Sequence, residues 1–387
     1  MNANLQRRDF LNSLGAVAVA GALPNGVFAQ AQAGYRNLLV LIEMKGGNDG
    51  LNTVVPYADP AYASLRPRIA IRREDVLQLD ERTGLHPALA PLLPLWQARE
   101  LAVVQGLGYP HPNLSHFRSI EIWDTASKSE ESLSEGWLAR AFAANPVPKS
   151  FAADGVVVGS QEMGPLSGGA RAIALTNTEQ FLRQARLAAP SSRPRGNALG
   201  HILKVEADIV QAAGSLNENV AFRTDFPRGG FNDVVHTAAQ VIANRAGAAV
   251  VRLTLNGFDT HQNQPGAHAN LLKQLADGLV TLKSALVELG RWDSTLIATY
   301  AEFGRRAGEN NSNGTDHGTA NAHFVLGGKV RGGLHGQAPR LDRLENGNLA
   351  YAVDFRSVYA TVLEKWWGVG SASALGGQFA PLELLRA

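Results

Sequence analysis

Acids, histidines and a serine recur in this sequence in Gly-rich segments, and these residue types can bind a divalent metal and cleave an ester. Asp259 and His261 stand two residues apart after an apolar run, so on an extended backbone their side chains project to the same side. This spacing suits a bound metal ion, but it also occurs in ordinary polar loops in which the imidazole only bonds a backbone carbonyl. Because the chain has no cysteine, oxygen and imidazole nitrogen are the ligands left for a metal.

Three other segments present similar groups. Asp49 lies in a Gly-rich turn, Glu302 directly follows an apolar run, and Asp316-His317 stands between glycines. Each has a simpler interpretation: a plain turn for Asp49, an ion pair with a nearby arginine for Glu302, and a solvated loop for Asp316-His317. Adjacent residues on an extended chain point in opposite directions, so Asp316 and His317 are expected to touch different partners. Their repetition at strand ends favours a shared site.

Ser115 is predicted to open a helix that runs to about Ser127. It is either an N-cap whose hydroxyl accepts a backbone N–H, or a nucleophile whose developing negative charge the helix dipole and a metal would favour. His111 and His116 flank it, and either could bind a ligand or simply pack.

These groups need a scaffold that brings distant segments together. Apolar, β-branched runs predict buried strands at Asn37–Glu43, Leu101–Gln105, Val250–Leu255, Ser294–Ala301 and Phe324–Gly328. Apolar residues at helical spacing predict helices between them, at Pro87–Arg99, Gly266–Leu289 and Asp354–Trp367. Strands alternating with helices predict an α/β fold with a mostly parallel sheet, and ligands of such sheets bind at the carboxyl ends of the strands.

The middle of the chain is less informative. Short strands are predicted at Gly155–Gly159 and Arg171–Leu175, followed by a helical insertion around residues 178–246. Its predicted helices are Thr178–Ala188, Ala198–Phe222 and Asn232–Ala246. The sequence leaves open whether this insertion caps the site or flanks the sheet.

Composition limits the class of partner. The 387 residues are 45% hydrophobic with a formal net charge of +2, and lysine and arginine are dispersed along the chain. This balance argues against nucleic acid as a partner, and the length permits one large α/β domain or two ordinary ones. No stretch after the first segment approaches the length of a membrane helix, so the mature chain is not expected to span a bilayer.

The first 33 residues are predicted to be an export signal rather than part of the folded domain. Gln6-Arg7-Arg8-Asp9-Phe10-Leu11 resembles a twin-arginine export signal, a weakly apolar run extends to Leu23, and A-x-A cleavage sites follow at Ala29–Ala33. We therefore expect recognition by the twin-arginine translocase, a periplasmic or secreted location, and a mature chain of residues 34–387.

Six stretches give the mature chain a resemblance to the bacterial family called domain of unknown function 1501, whose members look like exported relatives of the alkaline phosphatase and sulfatase superfamily. They are Gly46–Pro56 (GGNDGLNTVVP), Ser115–Ser119 (SHFRS), Gly257–His261 (GFDTH), Glu302–Arg305 (EFGR), Gly314–Gly318 (GTDHG) and Asp354–Tyr359 (DFRSVY). The resemblance implies a single alkaline-phosphatase-like domain with helices on both faces of the sheet.

The resemblance also implies roles for residues. Ser115 would be the nucleophile, beside His116. The metal ligands would be Asp49, Asp259, His261, Glu302, Asp316, His317 and, less directly, His323. The superfamily often has Asp-His after the strand where this chain has Glu302-Phe303, so one imidazole is missing there unless His317 folds back to supply it.

The expected function is hydrolysis of phosphate or sulfate esters, in a small molecule or a polymer, assisted by a divalent metal. Imidazole ligands favour Zn or Mn, with Mg or Ca possible. Arg118 or Arg305 could hold the substrate oxygens as a fork. The alternative is a non-catalytic envelope or polymer-binding protein with a degenerate metal site.

Overall fold

The computed structural model describes residues 34–175, 220–244 and 247–386. The predicted signal peptide lies outside the described residues, as do the predicted helix Thr178–Ala188 and nearly all of Ala198–Phe222.

A nine-stranded sheet forms the centre of the fold. Its strands are β1 (Leu38–Lys45), β5 (Leu101–Gly108), β6 (Ala153–Val158), β7 (Ala172–Leu175), β8 (Ala248–Asn256), β9 (Thr295–Tyr300), β10 (Asn321–Leu326), β11 (Gly333–Gly336) and β14 (Val353–Asp354). Short strands β2 (Val54–Val55), β3 (Leu77–Gln78) and β4 (Gly84–Leu85) make a second sheet, and β12 (Leu344–Glu345) pairs with β13 (Asn348–Leu349).

The order of strands in the main sheet is β11-β5-β10-β9-β1-β8-β6-β7, with β14 beside β5. All neighbours pair in parallel except β10, which is antiparallel to both β9 and β5. An antiparallel strand begins at the edge where its parallel neighbours end. The loop before β10 therefore meets the loops after β1, β5, β8 and β9 at one edge, which is where the sequence places its candidate residues.

The helices are α1 (Gly50–Thr53), α2 (Pro60–Leu65), α3 (Leu93–Gln97), α4 (His116–Thr125), α5 (Trp137–Ala144), α6 (Phe231–Ala243), α7 (Gln264–Glu288), α8 (Arg356–Ala360) and α9 (Ala372–Leu375). The described residues also form 3₁₀ turns at Pro87–Leu92, Gly164–Leu166 and Trp292–Ser294 and a π-helical turn at Thr361–Trp366.

Both faces of the sheet are covered, as predicted. Alternate residues of β1, such as Val40 and Ile42, share a buried apolar cluster with residues of α7 such as Leu275. The opposite face carries Tyr300 of β9, which stacks on Trp123 of α4 with ring centroids 6.4 Å apart. Because successive side chains of a strand point to opposite faces, each face of the sheet packs against its own layer of helices.

The described end of the predicted insertion flanks the sheet. Phe231 and Val235 of α6 belong to the same apolar cluster as α7, and Phe231 lies against Gly278, where an added Cβ would come within 2.7 Å of its ring. For residues 231–243, the structure thus selects the flanking arrangement that the sequence left open.

The predicted carboxyl-terminal helix forms in two parts. Its first turn and a half is α8, and its second half is the π-helical turn. Tyr359 stacks on Trp137 and Trp367 packs edge-on against Tyr35, so the aromatic face predicted to cover the sheet is buried. Among the described residues, every helix is too short or too polar to span a bilayer.

Two glycines allow the site loops to touch. Gly46 has φ +116°, and a Cβ there would lie 2.4 Å from the backbone nitrogen of Asp259. A Cβ on Gly314 would lie 2.2 Å from the carbonyl carbon of His261. Since no real Cβ tolerates such distances, only glycine lets the loops after β1 and before β10 close on the loop after β8.

Candidate metal centre

Side chains from three loops converge at the carboxyl edge of the sheet. His116, Asp259 and His317 each offer a ligand atom, and these atoms all lie within 4.8 Å of one another. They come from the start of α4, the loop after β8 and the loop before β10. The convergence joins residues that are up to about 200 positions apart, as the predicted sheet edge requires.

Hydrogen bonds fix the tautomers of two of these histidines. His116 Nδ1 lies 2.8 Å from Glu302 Oε1, and His317 Nδ1 lies 2.8 Å from the carbonyl oxygen of Leu114. Because a carboxylate and a carbonyl oxygen can only accept, each Nδ1 is the donor, and Nε2 of the neutral imidazole is the nitrogen that could bind a cation. The two Nε2 atoms stand 3.5 Å and 3.3 Å from Asp259 Oδ1. An imidazole oriented in this way through its other nitrogen is the usual arrangement of a metal ligand.

His261 adds a third imidazole. Its Nδ1 faces Asp316 Oδ1 at 3.4 Å, while its Nε2 lies 3.1 Å from Asp259 Oδ1 and 3.0 Å from Nε2 of His317. The contact between the two Nε2 atoms is a hydrogen bond, in which one imidazole donates to the other. Three imidazole nitrogens beside one carboxylate oxygen are also a donor set that fits a divalent metal.

Arg305 holds Asp259 in place. Its side chain is fully buried, and Nη2 donates to Asp259 Oδ1 at 2.7 Å. The guanidinium also donates to the carbonyl oxygens of Gly46, Gly47, Phe258 and Thr315. Burial alone would raise the pKa of Asp259, but the bond and charge of Arg305 lower it below its usual value, so the carboxylate stays ionised.

Glu302 hydrogen-bonds to both His116 and the backbone of Gly46. It is buried, and its two carboxylate oxygens accept from the backbone N–H of Gly46 at 2.9 and 3.1 Å. The hydrogen bond between Glu302 and His116 is the largest cause of the raised pKa of the His116 imidazole. In this structure Glu302 thus contacts His116 and Gly46, whereas the resemblance implies that it binds the metal directly.

Ser115 occupies the N-cap position of α4, as predicted. Its backbone is extended (φ −83°, ψ 128°), but its side chain makes no capping hydrogen bond and is exposed. The interpretation of Ser115 as a hydroxyl cap is therefore wrong. The hydroxyl and the first backbone N–H groups of α4 stay available next to His116.

Asp49 lies apart from this cluster. It is completely buried, caps α1 by accepting from the backbone N–H of Asn52, and pairs with Arg66 Nη1 at 2.6 Å. Gln264 donates to the same carboxylate. Burial would raise its pKa, yet Arg66 brings it below the usual value. These contacts join the loop after β1 to the loop at residues 66–69, a structural role that the resemblance did not imply.

Three more predicted residues are engaged elsewhere. Arg118 pairs with Glu121 at 2.7 Å and donates to carbonyls of the 128–131 loop, and Arg305 is buried as described, so both guanidinium groups bond protein acceptors in this structure. His323 lies on β10 within the core, 3.4 Å from Thr299 Oγ1 and edge-on to Trp123. Burial lowers its pKa to about 3.

Other supporting residues have little signal in the sequence. Phe303 lies under His116 and His317 with ring centroids 4.9 and 4.5 Å away. Asn310 donates to the carbonyl of His261 and to Asp316 Oδ1. The backbones of Arg305 and His317 form an antiparallel bridge, so His317 folds back onto the end of β9, where the missing imidazole was noted.

The fold and the centre define an α/β protein with a mostly parallel sheet and a candidate metal centre at its carboxyl edge. The chain belongs to the family described as "Protein of unknown function (DUF1501)", whose model matches residues 101–372. This range contains five of the six stretches that carry the resemblance, and Gly46–Pro56 precedes it. No curated protein matches the sequence.

Several solved structures are similar to the chain. A protein in the alkaline phosphatase superfamily from Vibrio parahaemolyticus is 11% identical, with 97% of this chain and 78% of that chain covered and a TM-score of 0.44. A phosphonate monoester hydrolase from Silicibacter pomeroyi is 12% identical, with 89% and 75% covered and a TM-score of 0.43. The lipoteichoic acid synthase of Listeria monocytogenes is 10% identical, with 83% and 74% covered and a TM-score of 0.36.

Proposed function

We propose that this protein is an exported, metal-dependent hydrolase of phosphate or sulfate esters. The observation that carries the proposal is the convergence of three imidazole Nε2 atoms on the Asp259 carboxylate, two of them with Nδ1 fixed by a hydrogen bond. Export rests on the twin-arginine pattern at residues 6–11.

The residues that would hold a metal are His116, Asp259, His261 and His317. Three nitrogens and one carboxylate oxygen favour Zn or Mn, while Mg and Ca prefer more oxygen ligands. When bound, such an ion supplies Lewis-acid stabilisation of negative charge and lowers the pKa of a neighbouring hydroxyl. The chain itself supplies the orientation, through Glu302, Leu114 and Arg305.

Ser115 is the nucleophile in this proposal. Its oxygen would lose its proton to solvent and attack the phosphorus or sulfur of the ester. The leaving oxygen would depart with the electrons of the broken ester bond and take up a proton from water to become the alcohol. Because the Ser115 side chain accepts nothing from α4, the first-turn N–H groups of that helix can donate to the non-bridging oxygens of the ester. Water would then release the acid from Ser115.

The test combines metal analysis with assays on aryl phosphate and aryl sulfate esters. We expect the purified mature protein to retain a divalent ion and to hydrolyse one of the two ester classes. His261→Gln and His317→Gln should lose the ion and the activity. His335→Gln is the matched control, because that half-buried histidine lies outside the candidate metal centre and bonds only the carbonyl of Arg331 among the described residues. A protein that binds no divalent ion after reconstitution would remove the proposal.

One observation favours the non-catalytic alternative. Glu302 faces His116 and Gly46, which leaves one carboxylate, Asp259, among the convergent ligand atoms. A binding protein with a single structural ion needs no more than this. It would keep its ion and its cellular phenotype after Ser115→Ala, whereas a hydrolase would keep the ion and lose the phenotype.

A further inference from the structure

A cavity lies directly beside the candidate metal centre. It has a volume of about 350 Å³, and His116 and Glu302 belong to both its wall and the centre. This volume is within the range of small-molecule sites. A group bound there would therefore lie next to the atoms that the proposed function assigns to catalysis.

The wall of the cavity is strongly acidic. Glu43, Glu121, Asp124, Glu162 and Glu302 all line it, against Lys45 as the one lysine or arginine among its lining residues. Lys45 is itself paired with Glu162 at 2.5 Å.

Glu43 is the deepest of these carboxyls and is incompletely paired. Its side chain is 0% exposed, and Oε2 accepts from Arg252 Nη2 at 2.7 Å and from Thr254 Oγ1 at 3.1 Å. Oε1 accepts no hydrogen bond from any described residue. A buried carboxylate oxygen without a donor is costly, so this atom has the capacity to bind a donor that enters the cavity.

Burial disfavours the ionised form of two carboxyl groups in the wall, Asp124 and Glu43. Burial raises the pKa of Asp124 to about 8, and Arg252 offsets this only in part because Glu43 and Glu162 act in the same direction as burial. Burial also raises the pKa of Glu43 despite its pair with Arg252. A cation in the cavity would stabilise the ionised form of both groups.

The mouth of the cavity is apolar. Phe117 is 88% exposed, the largest exposure of any large hydrophobic residue described, and it lines the cavity together with Ile120. These side chains offer a surface to a short hydrocarbon segment rather than to another charge.

We infer that this cavity binds a primary ammonium group carried on a short hydrocarbon, with Glu43 Oε1 and Glu162 as acceptors and Phe117 against the hydrocarbon. Amine binding itself does not depend on the proposed function. Only the further step does, which is that the ester substrate has an amine-bearing alcohol. An ammonium group offers three donors and a positive charge, which suits several carboxylates in one wall. A bare metal ion suits it less, because among the described residues no group of three acids or histidines converges here as one does at the metal centre.

The test is a calorimetric titration of the mature protein with n-butylamine, which is protonated at neutral pH, and with n-butanol as a neutral ligand of similar size. We expect n-butylamine to bind at least about tenfold more tightly than n-butanol, the effect of one or two charge-assisted hydrogen bonds. Glu162→Gln and Glu43→Gln should each weaken amine binding, the second by about tenfold or more. Glu345→Gln, an exposed change outside this cavity, is the control and should leave binding unchanged.

Glu43→Gln could unfold the protein because Arg252 would lose its partner, so the exposed Glu162 provides the second variant. Equal binding of n-butanol and n-butylamine, or amine binding that neither variant weakens, would overturn the inference. Because the titration needs no turnover, amine binding by a protein without esterase activity would retain the cavity and remove only the hydrolase. Esterase activity without amine binding would do the reverse.

Discussion

Replacement of Arg305 by lysine should destabilise the protein far more than its conservative nature suggests. Arg305 donates to four backbone carbonyls and to Asp259 from a side chain with no exposure. An ammonium group has three donors on one atom, so at least two of these five acceptors lose their bond. A buried carbonyl left without a donor costs about 1–3 kcal/mol. Asp259 adds little because it is 47% exposed, and the carbonyl of Phe258 keeps the backbone N–H of Thr260 as a donor. The carbonyls of Gly46, Gly47 and Thr315 are bonded by three different nitrogens of the guanidinium, which one ammonium cannot all replace. We therefore expect the free energy of unfolding to fall by at least about 1–3 kcal/mol.

The assay is denaturant unfolding of the metal-free protein, followed by titration with Zn. Arg340→Lys is the matched control, because Arg340 is 58% exposed and pairs only with Asp342 among the described residues, and it should change stability by less than about 0.5 kcal/mol. Arg305→Lys should also weaken metal binding, since Asp259 loses the group that orients it. An Arg305→Lys protein as stable as the wild type would show that the five guanidinium bonds do not stabilise these loops.

Three further predictions concern single side chains. Ser115→Ala should lower the rate of ester hydrolysis by at least about a thousandfold. It should change the free energy of unfolding by less than about 0.5 kcal/mol, because the Ser115 side chain makes no capping hydrogen bond. A loss of about 1 kcal/mol in an unfolding curve, the size expected for a lost cap, would contradict this. Glu302→Ala should reduce metal affinity about 10–100-fold by freeing His116, as measured by competition with a chelator, and unchanged affinity would show that Glu302 does not position the ligand. Buried His323 has a pKa of about 3 against about 6.5 unfolded, so the native state binds fewer protons and loses about 2 kcal/mol as pH falls from about 6.5 to about 5. His323→Phe should remove that part of the acid sensitivity in unfolding curves measured at both pH values, and an unchanged pH dependence would contradict the assignment.

The fold is readable from the sequence where apolar runs are long. The strands around Val40, Val103, Val251 and Ile297 were predicted within a few residues, because strands buried on both faces are continuously apolar. The antiparallel direction of β10 was not predictable, because pairing direction leaves no mark in a six-residue run. The shift to π-helical hydrogen bonding at Thr361 was likewise not predicted, because the apolar spacing of residues 354–367 fits an ordinary α-helix.

The site was predicted as a set of residues, but their roles depend on packing that no local pattern encodes. His116, Asp259, His261 and His317 do meet, because strand ends of one sheet share an edge. In the sequence, Asp49 and Asp259 look equivalent, because each lies in a Gly-containing turn after an apolar run. They differ in the residue that each contacts in the folded protein.

The distant partner decides the role of such a carboxylate. Asp49 meets Arg66, which seals it in the interior, while Asp259 meets Arg305 and keeps an exposed edge toward three imidazoles. Glu302 is set apart in a similar way by the N–H of Gly46, a backbone group with no side-chain signature.

We propose that one cation lies among the imidazoles gathered at the carboxyl edge of the sheet. Anomalous diffraction from crystals of the mature protein grown with Zn would locate such an ion. We predict a peak within ligand distance of Asp259 and the Nε2 atoms of His116, His261 and His317. A map with no peak there, or with its peak beside Asp49 and Arg66 instead, would contradict the claim.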